Sequence, residues 1–366
     1  MVIRAIKVYS CPIPLRSPFR IATMETAEAP VTLVSILTQD GRLGWGEATP
    51  LHSINGETSL TVVAAIQSVA SLLIGRDPRE LSSIIDDLDF ILPGQHAAIS
   101  SLDIALHDLA SQAAGIPLYQ YLGGSHRILP TDQTIGIKPV EEAVAQARGY
   151  VTEGHKTIKI KIGAEPESDI DRVSKLRQAL GKKIALRVDA NQGYSRETAL
   201  RVLTALEPYD IQFCEQPVRR EDRSGMAWLA RRSPIPIMAD ESVFSPHDAL
   251  DLISDGAVSL FNIKLSKSRG IRRGVEIANI VSTAKGECMI GGMIETRLGM
   301  TAAAHLAAAH SVFRYFDLDC FTGHAMDPMV GGATIQNGDV VLPSEPGLGI
   351  APDPTFLETI HPLEFS

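Results

Sequence analysis

Five short segments between residues 157 and 264 decide the fold of this 366-residue chain. Each contains or follows a short apolar run and carries a charged side chain: Thr157-Ile158-Lys159-Ile160-Lys161-Ile162, Arg187-Val188-Asp189-Ala190-Asn191, Cys214-Glu215-Gln216-Pro217, Ala239-Asp240-Glu241-Ser242 and Asn262-Ile263-Lys264. The charged positions recur at nearly constant distances. Asp189 and Glu215 are 26 residues apart, Glu215 and Asp240 are 25 apart, and a further 24 lead to Lys264. Strand patterns that alternate with helix patterns at such a period indicate consecutive βα units.

Strand and helix patterns alternate along the whole span from residue 131 to residue 319, giving eight predicted strands with seven helices between them. Each connection is local, and the unit repeats. This favours a closed parallel barrel over an open, doubly wound sheet. Neither G-x-G-x-x-G nor G-x-x-x-x-G-K-[ST] interrupts the pattern, so a nucleotide-binding fold has little support. We therefore predict an α/β protein of the TIM-barrel class.

The barrel accounts for only part of the chain, and we predict three regions. Residues 1–124 form an α+β capping domain, with strand patterns in its first half and helix patterns in its second. Residues 125–320 form the barrel. Residues 321–366 are rich in Gly and Pro, lack the alternation and are expected to return to the capping domain. Within the first region, residues 16–29 and 49–56 show no clear period and are predicted to be loops, where specificity is often carried.

The composition is that of an ordinary globular protein, with 45% hydrophobic and 21% charged residues. A formal net charge of −9 argues against nucleic acid or an anionic membrane as the main partner. No apolar run approaches the roughly 20 residues that a membrane-spanning helix needs, and the first residues lack the apolar core of a signal peptide. The cysteines are widely scattered, as is typical of reduced thiols: Cys11, Cys214, Cys288 and Cys320. We predict a cytoplasmic protein.

Three carboxylates end successive strand patterns: Asp189, Glu215 and Asp240. Because the C-terminal ends of barrel strands meet at one mouth, we expect these side chains to converge. Neighbouring carboxylates repel one another unless a cation neutralises them, and an all-oxygen ligand set suits Mg²⁺. A single strand-end carboxylate could instead cap a helix or lie in solvent, but three at matched positions favour a metal site. Mg²⁺ is the predicted cofactor.

Three lysines are predicted to flank that metal. Lys159 and Lys161 are two residues apart on one strand, so both project to the same face while isoleucines occupy the other. Lys264 ends a strand on the far side of the barrel. A lysine is a poor base at neutral pH until its pKa is lowered, and Mg²⁺ and a second lysine would both lower it. Two lysines on opposite faces of a substrate could remove and return a proton; the alternative is a strand whose lysines reach solvent at the rim.

In these residues the sequence resembles the enolase superfamily, in its muconate-lactonising subgroup. The resemblance rests on Lys159-x-Lys161, the three strand-end carboxylates and Lys264, and it extends to Gly44-Trp45-Gly46-Glu47 and Gly291-Gly292-Met293-Ile294-Glu295. It implies a modified (β/α)7β barrel with an α+β N-terminal capping domain, and the activity of an isomerase. It also implies that Lys161 and Lys264 are the two acid/base groups and that Lys159 assists at a developing enediolate.

Asp317-Leu318-Asp319 places two carboxylates on one face of the last predicted strand, near the mouth. Two acids in a mouth that also binds a carboxylate need a cation, which a substrate ammonium group would supply. The motif is similar to the D-x-D of dipeptide epimerases, which binds the free α-ammonium of the dipeptide. The same resemblance implies that Thr134 contacts the substrate carboxylate and that Glu295 supports the mouth. A structural pair that caps neighbouring loops is the alternative for the two aspartates.

One position departs from the alanyl-glutamate epimerases that the chain resembles. They carry an arginine in the loop after Pro18-Phe19, where it pairs with the glutamate side chain, and the matching position here is Met24. The other predicted pocket residues are also apolar: Phe19, Leu51, Ile54 and Met293. We therefore expect a neutral or hydrophobic substrate side chain. Three alternatives stay open: Arg20 could replace the arginine, Glu25 and Glu28 could accept a cationic side chain, or Met24 could serve loop packing alone.

We expect a Mg²⁺-dependent epimerase that inverts the α-carbon of the C-terminal residue in dipeptides of the L-Ala-Xaa type. The alternative is a sister activity of the same scaffold: o-succinylbenzoate synthesis, N-acylamino acid racemisation or muconate cycloisomerisation. A non-catalytic barrel that binds a metal-chelated ligand would have no need for lysines on both sides of that ligand. The expected partner is the dipeptide, with neither nucleic acid nor membrane, and we expect a homo-oligomer.

Overall fold

The N-terminal part of the chain forms an antiparallel sheet covered by helices. The computed structural model describes residues 1–366. The first elements are β1 (Ile3–Ser10), β2 (Ile13–Arg20), β3 (Glu25–Ala29), β4 (Thr32–Thr38), β5 (Leu43–Ala48), α1 (His52–Asn55), α2 (Ser59–Leu73), α3 (Leu81–Ile91), α4 (His96–Ala114) and α5 (Leu118–Tyr121). β1, β4 and β5 are neighbours in one sheet, and β2 and β3 form a separate hairpin. No helix of the chain is both long and apolar enough to span a membrane.

Close contact between β5 and α4 fixes the core of this region. All residues of α4 from 97 to 111 are buried. A Cβ atom added to Gly46 would lie 1.9 Å from the carbonyl oxygen of Ser101, and one added to Gly44 would lie 2.4 Å from that of Ala105. Both distances are far inside van der Waals contact. The helix therefore lies so near the strand that only glycine fits at these two positions.

Gly46→Ala is expected to lower the free energy of unfolding by about 1–3 kcal/mol, because the added methyl group meets main-chain atoms of α4 that cannot give way. Gly149→Ala is the matched control. Gly149 lies in the helix Val140–Thr152, where an added Cβ meets nothing within 4 Å, so this variant should gain about 0.5–1 kcal/mol. Urea denaturation followed by circular dichroism measures both. Equal stabilities of the two variants would contradict this account of the helix–strand contact.

Eight parallel strands and the seven helices that connect them form the barrel, after a short strand β6 (Leu129–Pro130). The barrel strands are β7 (Gln133–Ile135), β8 (Thr157–Lys161), β9 (Ala185–Asp189), β10 (Ile211–Glu215), β11 (Ile237–Ala239), β12 (Leu260–Ile263), β13 (Glu287–Ile290) and β14 (Phe313–Phe316). The helices are α6 (Val140–Thr152), α7 (Pro166–Leu180), α8 (Arg196–Leu206), α9 (Arg223–Ala230), α10 (Pro246–Ser254), α11 (Ile271–Thr283) and α12 (Arg297–Ala309). Neighbours in the sheet follow chain order from β7 to β14. The predicted fold class, a modified TIM barrel with an α+β N-terminal capping domain, is confirmed.

The barrel has a seam between its first and last strands, β7 and β14, which no strand ladder joins. One main-chain hydrogen bond crosses the seam, from the Asp132 N–H to the Phe316 carbonyl at 3.1 Å. A second bond uses a side chain: the Thr134 N–H donates to a carboxylate oxygen of Asp319 at 2.7 Å. One of the two predicted ammonium ligands therefore takes part in closing the barrel.

The last residues of the chain lie against both earlier regions. Their elements are β15 (Met329–Gly331), β16 (Thr334–Gln336), β17 (Asp339–Val341), β18 (Ile350–Pro352), α13 (Pro354–Leu357) and β19 (Leu363–Phe365). β17 pairs with β6, at the entry to the barrel, and β19 pairs with β1 at the edge of the N-terminal sheet. From these contacts we propose the division expected from the sequence, into residues 1–124, 125–320 and 321–366.

Two carboxylates from the capping domain bind the N-termini of barrel helices. Glu47 on β5 accepts hydrogen bonds from the Thr296 N–H (2.7 Å) and the Gly299 N–H (2.9 Å) at the start of α12. Asp103 on α4 accepts one from the Ile271 N–H at the start of α11. Free N–H groups and the helix dipole favour negative charge at these ends. Because these helices start at the mouth, the two carboxylates hold the capping domain against that end of the barrel.

The loop prediction for residues 16–29 is wrong over most of its length, because β2 and β3 pair there, with Phe19 opposite Thr26 and Arg20 opposite Glu25. Most side chains of this hairpin are exposed or half-buried, so no alternating apolar pattern marks it. Residues 49–56, also predicted as a loop, include the single turn α1. The prediction also lacks α3, in spite of its buried Ile84, Ile85 and Leu88.

Candidate active site

The predicted catalytic and metal-binding residues lie at the C-terminal ends of five consecutive barrel strands. Lys161, Asp189 and Glu215 are the last residues of β8, β9 and β10, while Asp240 and Lys264 directly follow β11 and β12. The register pairs Lys161 with Asp189 and Asp189 with Glu215, so these three side chains share one layer of the barrel. They meet because alternate residues of a barrel strand point inward.

Asp189, Glu215 and Asp240 converge, with one carboxylate oxygen of each within 4.8 Å of the other two. All three are buried. The Asn191 N–H donates to Asp189 at 2.9 Å, and the Asn262 side-chain amide donates to Glu215 at 2.7 Å, so neighbouring groups hold the carboxylates in place. Mg²⁺ is bound in proteins by a few carboxylates and keeps other positions for water or substrate. This donor set fits that ion.

Lys161 and Lys264 contact the carboxylates from opposite sides. The Nζ atom of Lys161 lies 2.6 Å from Asp189, and that of Lys264 lies 2.7 Å from Asp240. Their strands, β8 and β12, are four positions apart in the order of eight, which places them across the barrel from each other. Both side chains are more than nine-tenths buried. The arrangement leaves the space between the lysines as the place where a substrate atom could meet both.

The carboxylates and lysines shift one another's pKa values. Burial raises the pKa of Glu215 to about 7, and the charge of Asp189 adds to the shift. Burial alone would lower the pKa of Lys264, but the negative charges of Asp240 and Glu215 outweigh it and raise that pKa. The expected lowering of a lysine pKa depends on bound Mg²⁺ and stays a prediction. A divalent cation bound by these carboxylates would offset their charge and disfavour the ammonium form.

Lys159 lies between the metal-binding cluster and a second acidic group. Its Nζ atom is 2.7 Å from Glu215 and 2.8 Å from Asp317. A carboxylate oxygen of Asp317 lies within 4.8 Å of one from Asp319 and one from Asp132. Burial and the charge of Asp317 raise the pKa of Asp319 to about 7. Two buried cations contact these three carboxylates: Lys159 at Asp317, and Arg187, whose guanidinium lies 2.7 Å from Asp132.

Asp317 and Asp319 do not lie on the last strand, as the sequence suggested, because β14 ends at Phe316. They occupy the loop that follows, where both carboxylates still reach the mouth. Thr134, on β7, donates its hydroxyl to Asp317 at 3.4 Å. The three residues that were predicted to contact opposite ends of a substrate are thus neighbours across the barrel seam.

The loops of the capping domain carry the predicted specificity residues. The hairpin β2–β3 lies on the barrel mouth, where the Ile137 N–H donates to the carbonyl of Arg20, whose side chain is exposed. Met24, in the turn of this hairpin, is half-buried, and its sulfur lies 3.3 Å from the Ser53 hydroxyl in α1. Ile54, the next residue of α1, is buried. The two loops therefore form one contiguous wall, with Met24 and Ile54 in it.

Met293 and Glu295 lie in the loop between β13 and α12. The Glu295 carboxylate accepts a hydrogen bond from the Met293 N–H at 2.5 Å, which folds the loop back on itself. Burial and the charge of Glu47 raise the pKa of Glu295 to about 7. Met293 is half-buried and packs against the core. Glu295 thus supports the loop that carries Met293.

The sequence prediction lacks three polar residues that lie in this site. Lys267 is fully buried and donates to the second carboxylate oxygen of Asp240 at 2.7 Å. Its position three residues after Lys264 was a usable signal. Glu241 is buried directly beside Asp240. The third, Asp132, was visible as the one charged residue in an otherwise uncharged strand pattern.

Fold and site together define a TIM-barrel protein with a buried carboxylate cluster set between lysines. The chain belongs to the enolase superfamily. Residues 142–356 match the family described as enolase C-terminal domain-like, and residues 3–123 match the N-terminal domain of the mandelate racemase / muconate lactonizing enzyme family. The resemblance inferred from the sequence is confirmed.

Within the family, the chain is similar to dipeptide epimerases. It is 38% identical to the D-Ala-D/L-Ala epimerase of Cytophaga hutchinsonii over 99% of both chains, and 39% identical to the hydrophobic dipeptide epimerase of Enterococcus faecalis over 96% of this chain and 100% of the relative. The crystal structure of a dipeptide epimerase from Cytophaga hutchinsonii with Mg and D-Ala-L-Val matches with a TM-score of 0.98 and 38% identity, covering 100% of both chains. These relatives are epimerases, so the prediction of an isomerase is confirmed.

Proposed function

We propose that this protein is a Mg²⁺-dependent dipeptide epimerase that inverts the α-carbon of the C-terminal residue in dipeptides of the L-Ala-Xaa type, with a neutral or hydrophobic Xaa. One observation carries the proposal. Lys161 and Lys264 stand across the barrel from each other, one on either side of a buried cluster of three carboxylates. Inversion of a carbon acid requires a proton acceptor on one face and a proton donor on the other, and this pair supplies both.

The two lysines exchange roles with the direction of the reaction. The neutral amine that faces the α-hydrogen accepts the proton, and the ammonium group on the opposite face donates one to the same carbon. Lys159 contacts Glu215 and Asp317 from a buried position, where its charge can assist at an enediolate formed from the substrate carboxylate. The lysines are thus divided into two that move protons and one that stabilises charge.

The acidic cluster would bind the carboxylate of the substrate indirectly, through the Mg²⁺ that it holds. Asp189, Glu215 and Asp240 would hold Mg²⁺, which when bound stabilises the negative charge that develops on the substrate's carboxylate oxygens. Lys267 and Lys264 each hold one oxygen of Asp240, at 2.7 Å, and so fix the orientation of that ligand. The protein therefore orients its ligands before substrate arrives.

Asp317 and Asp319 suit the free ammonium group of the dipeptide. Both are buried, lie beside each other at the mouth and follow the strand opposite the metal-binding cluster. An ammonium group has three donors in a compact, strongly charged head, and charge-assisted bonds to carboxylates are about twice as strong as neutral ones. A substrate that presents a carboxylate at one end and an ammonium group at the other matches this arrangement.

The proposed preference for an apolar Xaa rests on Met24, Ile54 and Met293. Met24 and Ile54 belong to one wall of the mouth, Met293 packs against the core, and none of the three carries a charge. Arg20 could serve an acidic Xaa instead, but its side chain is exposed. An apolar side chain that packs against this wall costs little free energy of desolvation, whereas a carboxylate there would need a cationic or hydrogen-bonding partner.

A dipeptide library incubated with the enzyme in D₂O tests the proposal, since mass spectrometry detects the deuterium that replaces the α-proton. L-Ala-Xaa dipeptides with apolar Xaa should exchange, and L-Ala-L-Glu should exchange at least about tenfold more slowly. Failure of exchange across the whole library would leave a barrel that only binds a ligand. Fast exchange of L-Ala-L-Glu would contradict the apolar preference and would favour the alternative in which Arg20 pairs with an acidic Xaa.

The double variant Asp317→Asn/Asp319→Asn separates this activity from its sister activities. Loss of two charge-assisted bonds should raise the KM for a dipeptide by about 100-fold. The N-propionyl analogue, which is the same molecule without the ammonium group, should be affected little. The exposed Asp171→Asn is the control. Unchanged dipeptide turnover in the double variant would favour N-acylamino acid racemisation, o-succinylbenzoate synthesis or muconate cycloisomerisation, whose substrates lack that group.

Three further expectations accompany the proposal. The net charge of −9 supports a protein whose partner is a small molecule and not nucleic acid. All four cysteines are unpaired, three of them buried, as expected for a reducing compartment such as the cytoplasm. We also expect a homo-oligomer, which size-exclusion chromatography with light scattering would measure.

A further inference from the structure

Beneath the proposed ammonium site lies a buried arginine that the proposed chemistry does not use. Arg187 is on β9, two residues before Asp189, and its side chain is almost fully buried inside the barrel. Its guanidinium carbon lies 5.4 Å from the centre of the Phe213 ring and 5.1 Å from that of Tyr315. Two aromatic contacts of this kind hold the planar group in a fixed orientation.

Arg187 joins the two edges of the barrel seam. One nitrogen, Nη1, donates to Asp132 Oδ2 at 2.7 Å and to the Phe316 carbonyl at 3.2 Å. Asp132 directly precedes β7, and Phe316 is the last residue of β14. Because no strand ladder joins β7 to β14, a side chain that binds both edges adds to the few bonds that set their distance.

The same bonds reach the two aspartates of the ammonium site. Asp317 directly follows Phe316, and one carboxylate oxygen of Asp132 lies within 4.8 Å of oxygens of both Asp317 and Asp319. Three buried carboxylates at such distances repel one another, and Arg187 supplies a permanent positive charge below them. Any change in Arg187 therefore acts on both the position and the mutual repulsion of these carboxylates.

We propose that Arg187, through Asp132 and the Phe316 carbonyl, is a positioning residue that sets the geometry of Asp317 and Asp319 and thereby selects substrates with a free ammonium group. The inference rests on the proposed dipeptide epimerase function. It assigns Arg187 no contact with substrate. Its effect is expected at the end of the dipeptide that carries the ammonium group.

The test compares two substrates of the wild-type enzyme and of Arg187→Met: an L-Ala-Xaa dipeptide and the N-propionyl-Xaa analogue. We expect the KM for the dipeptide to rise by about tenfold or more, with kcat changed by less than about threefold. The kcat/KM for the analogue should stay within about threefold, so the preference for the dipeptide falls. Arg187→Lys, which keeps the charge but not the planar group, should recover part of that preference.

Arg177→Met is the matched control for a general loss of stability. Arg177 is also largely buried and donates to four main-chain carbonyls, those of Tyr209, Asp210, Gly181 and Ile184, but it lies on α7 outside the sheet. This variant should be destabilised while its preference between the two substrates stays unchanged. A fall of the preference in both arginine variants would overturn the inference, because the effect would then follow from lost stability.

Two outcomes separate this inference from the proposed function. A wild-type enzyme that turns over the analogue as well as the dipeptide would refute the function before any variant is made. A wild-type enzyme that prefers the dipeptide, with the same preference in Arg187→Met, would overturn only the positioning role. Should Arg187→Met fail to fold, Asp132→Asn decides by the same ratio, since it removes the charge partner and leaves the arginine in place.

Discussion

Lys264→Ala is expected to abolish epimerisation, with at least about a 1,000-fold loss of kcat for inversion. The physical reason is that, in the proposed mechanism, Lys264 alone serves its face of the substrate. Lys161 stands across the barrel and cannot replace it. The fold should survive, because Asp240 keeps its bond to Lys267 at 2.7 Å after Lys264 has gone. The exposed Lys175→Ala is the control and should behave as the wild type.

The decisive measurement for this variant is α-proton exchange in D₂O, followed by NMR for each stereoisomer separately. Wild-type enzyme should place deuterium in both stereoisomers of the dipeptide. With Lys264→Ala, the isomer whose α-hydrogen faces Lys161 should still exchange without inversion, and the other should not. Lys161→Ala should reverse this selectivity. Exchange of both isomers by either single variant would refute the assignment of one lysine to each face.

Glu215→Gln is expected to weaken the binding of Mg²⁺ by more than about 100-fold, since the loss of an outer-shell partner alone commonly costs 10–100-fold. Glutamine keeps the size of the side chain and an acceptor for the Asn262 amide, which lies 2.7 Å from Glu215. The change therefore removes a charge from the cluster with little change in packing. Epimerisation should fall with the metal affinity.

Isothermal titration calorimetry with Mg²⁺ measures this affinity without recourse to activity. Glu287→Gln is the matched control, because Glu287 starts β13 at the opposite end of the barrel. Its affinity for Mg²⁺ should equal that of the wild type. An unchanged affinity in Glu215→Gln would show that Glu215 is not a metal ligand and that other residues bind the Mg²⁺.

The barrel was predictable because its physical cause is local and repeated. The five strands from β8 to β12 each end at or directly before a charged residue, and this position recurs at the period of one βα unit. The convergence of Asp189, Glu215 and Asp240 follows from that repeat alone. The hairpin β2–β3 was not predictable in this way, because most of its side chains are exposed or half-buried and main-chain pairing holds it together.

Contacts between distant parts of the chain could not be predicted from the sequence either. Arg187 and Asp132 are 55 residues apart, and the bond between them depends on how the first strand meets the third across the barrel interior. Lys267 gave a signal only as a second lysine near Lys264. The exact ends of β14 also escaped prediction, since Asp317 and Asp319 continue the alternation of the strand after its pairing has stopped.

The attachment of Glu47 and Asp103 to the ends of barrel helices has a consequence for how such an enzyme can change. In the proposed enzyme, the wall that would contact the substrate side chain belongs to the capping domain, and the lysines that would move protons belong to the barrel. The bonds that join the two domains through Glu47 and Asp103 involve neither group of residues. A substitution at Met24 or Ile54 can therefore alter which substrate enters without disturbing the reaction. New specificities can therefore arise in this scaffold by substitution of a few residues in these two loops, while the arrangement of buried charges in the barrel stays unchanged.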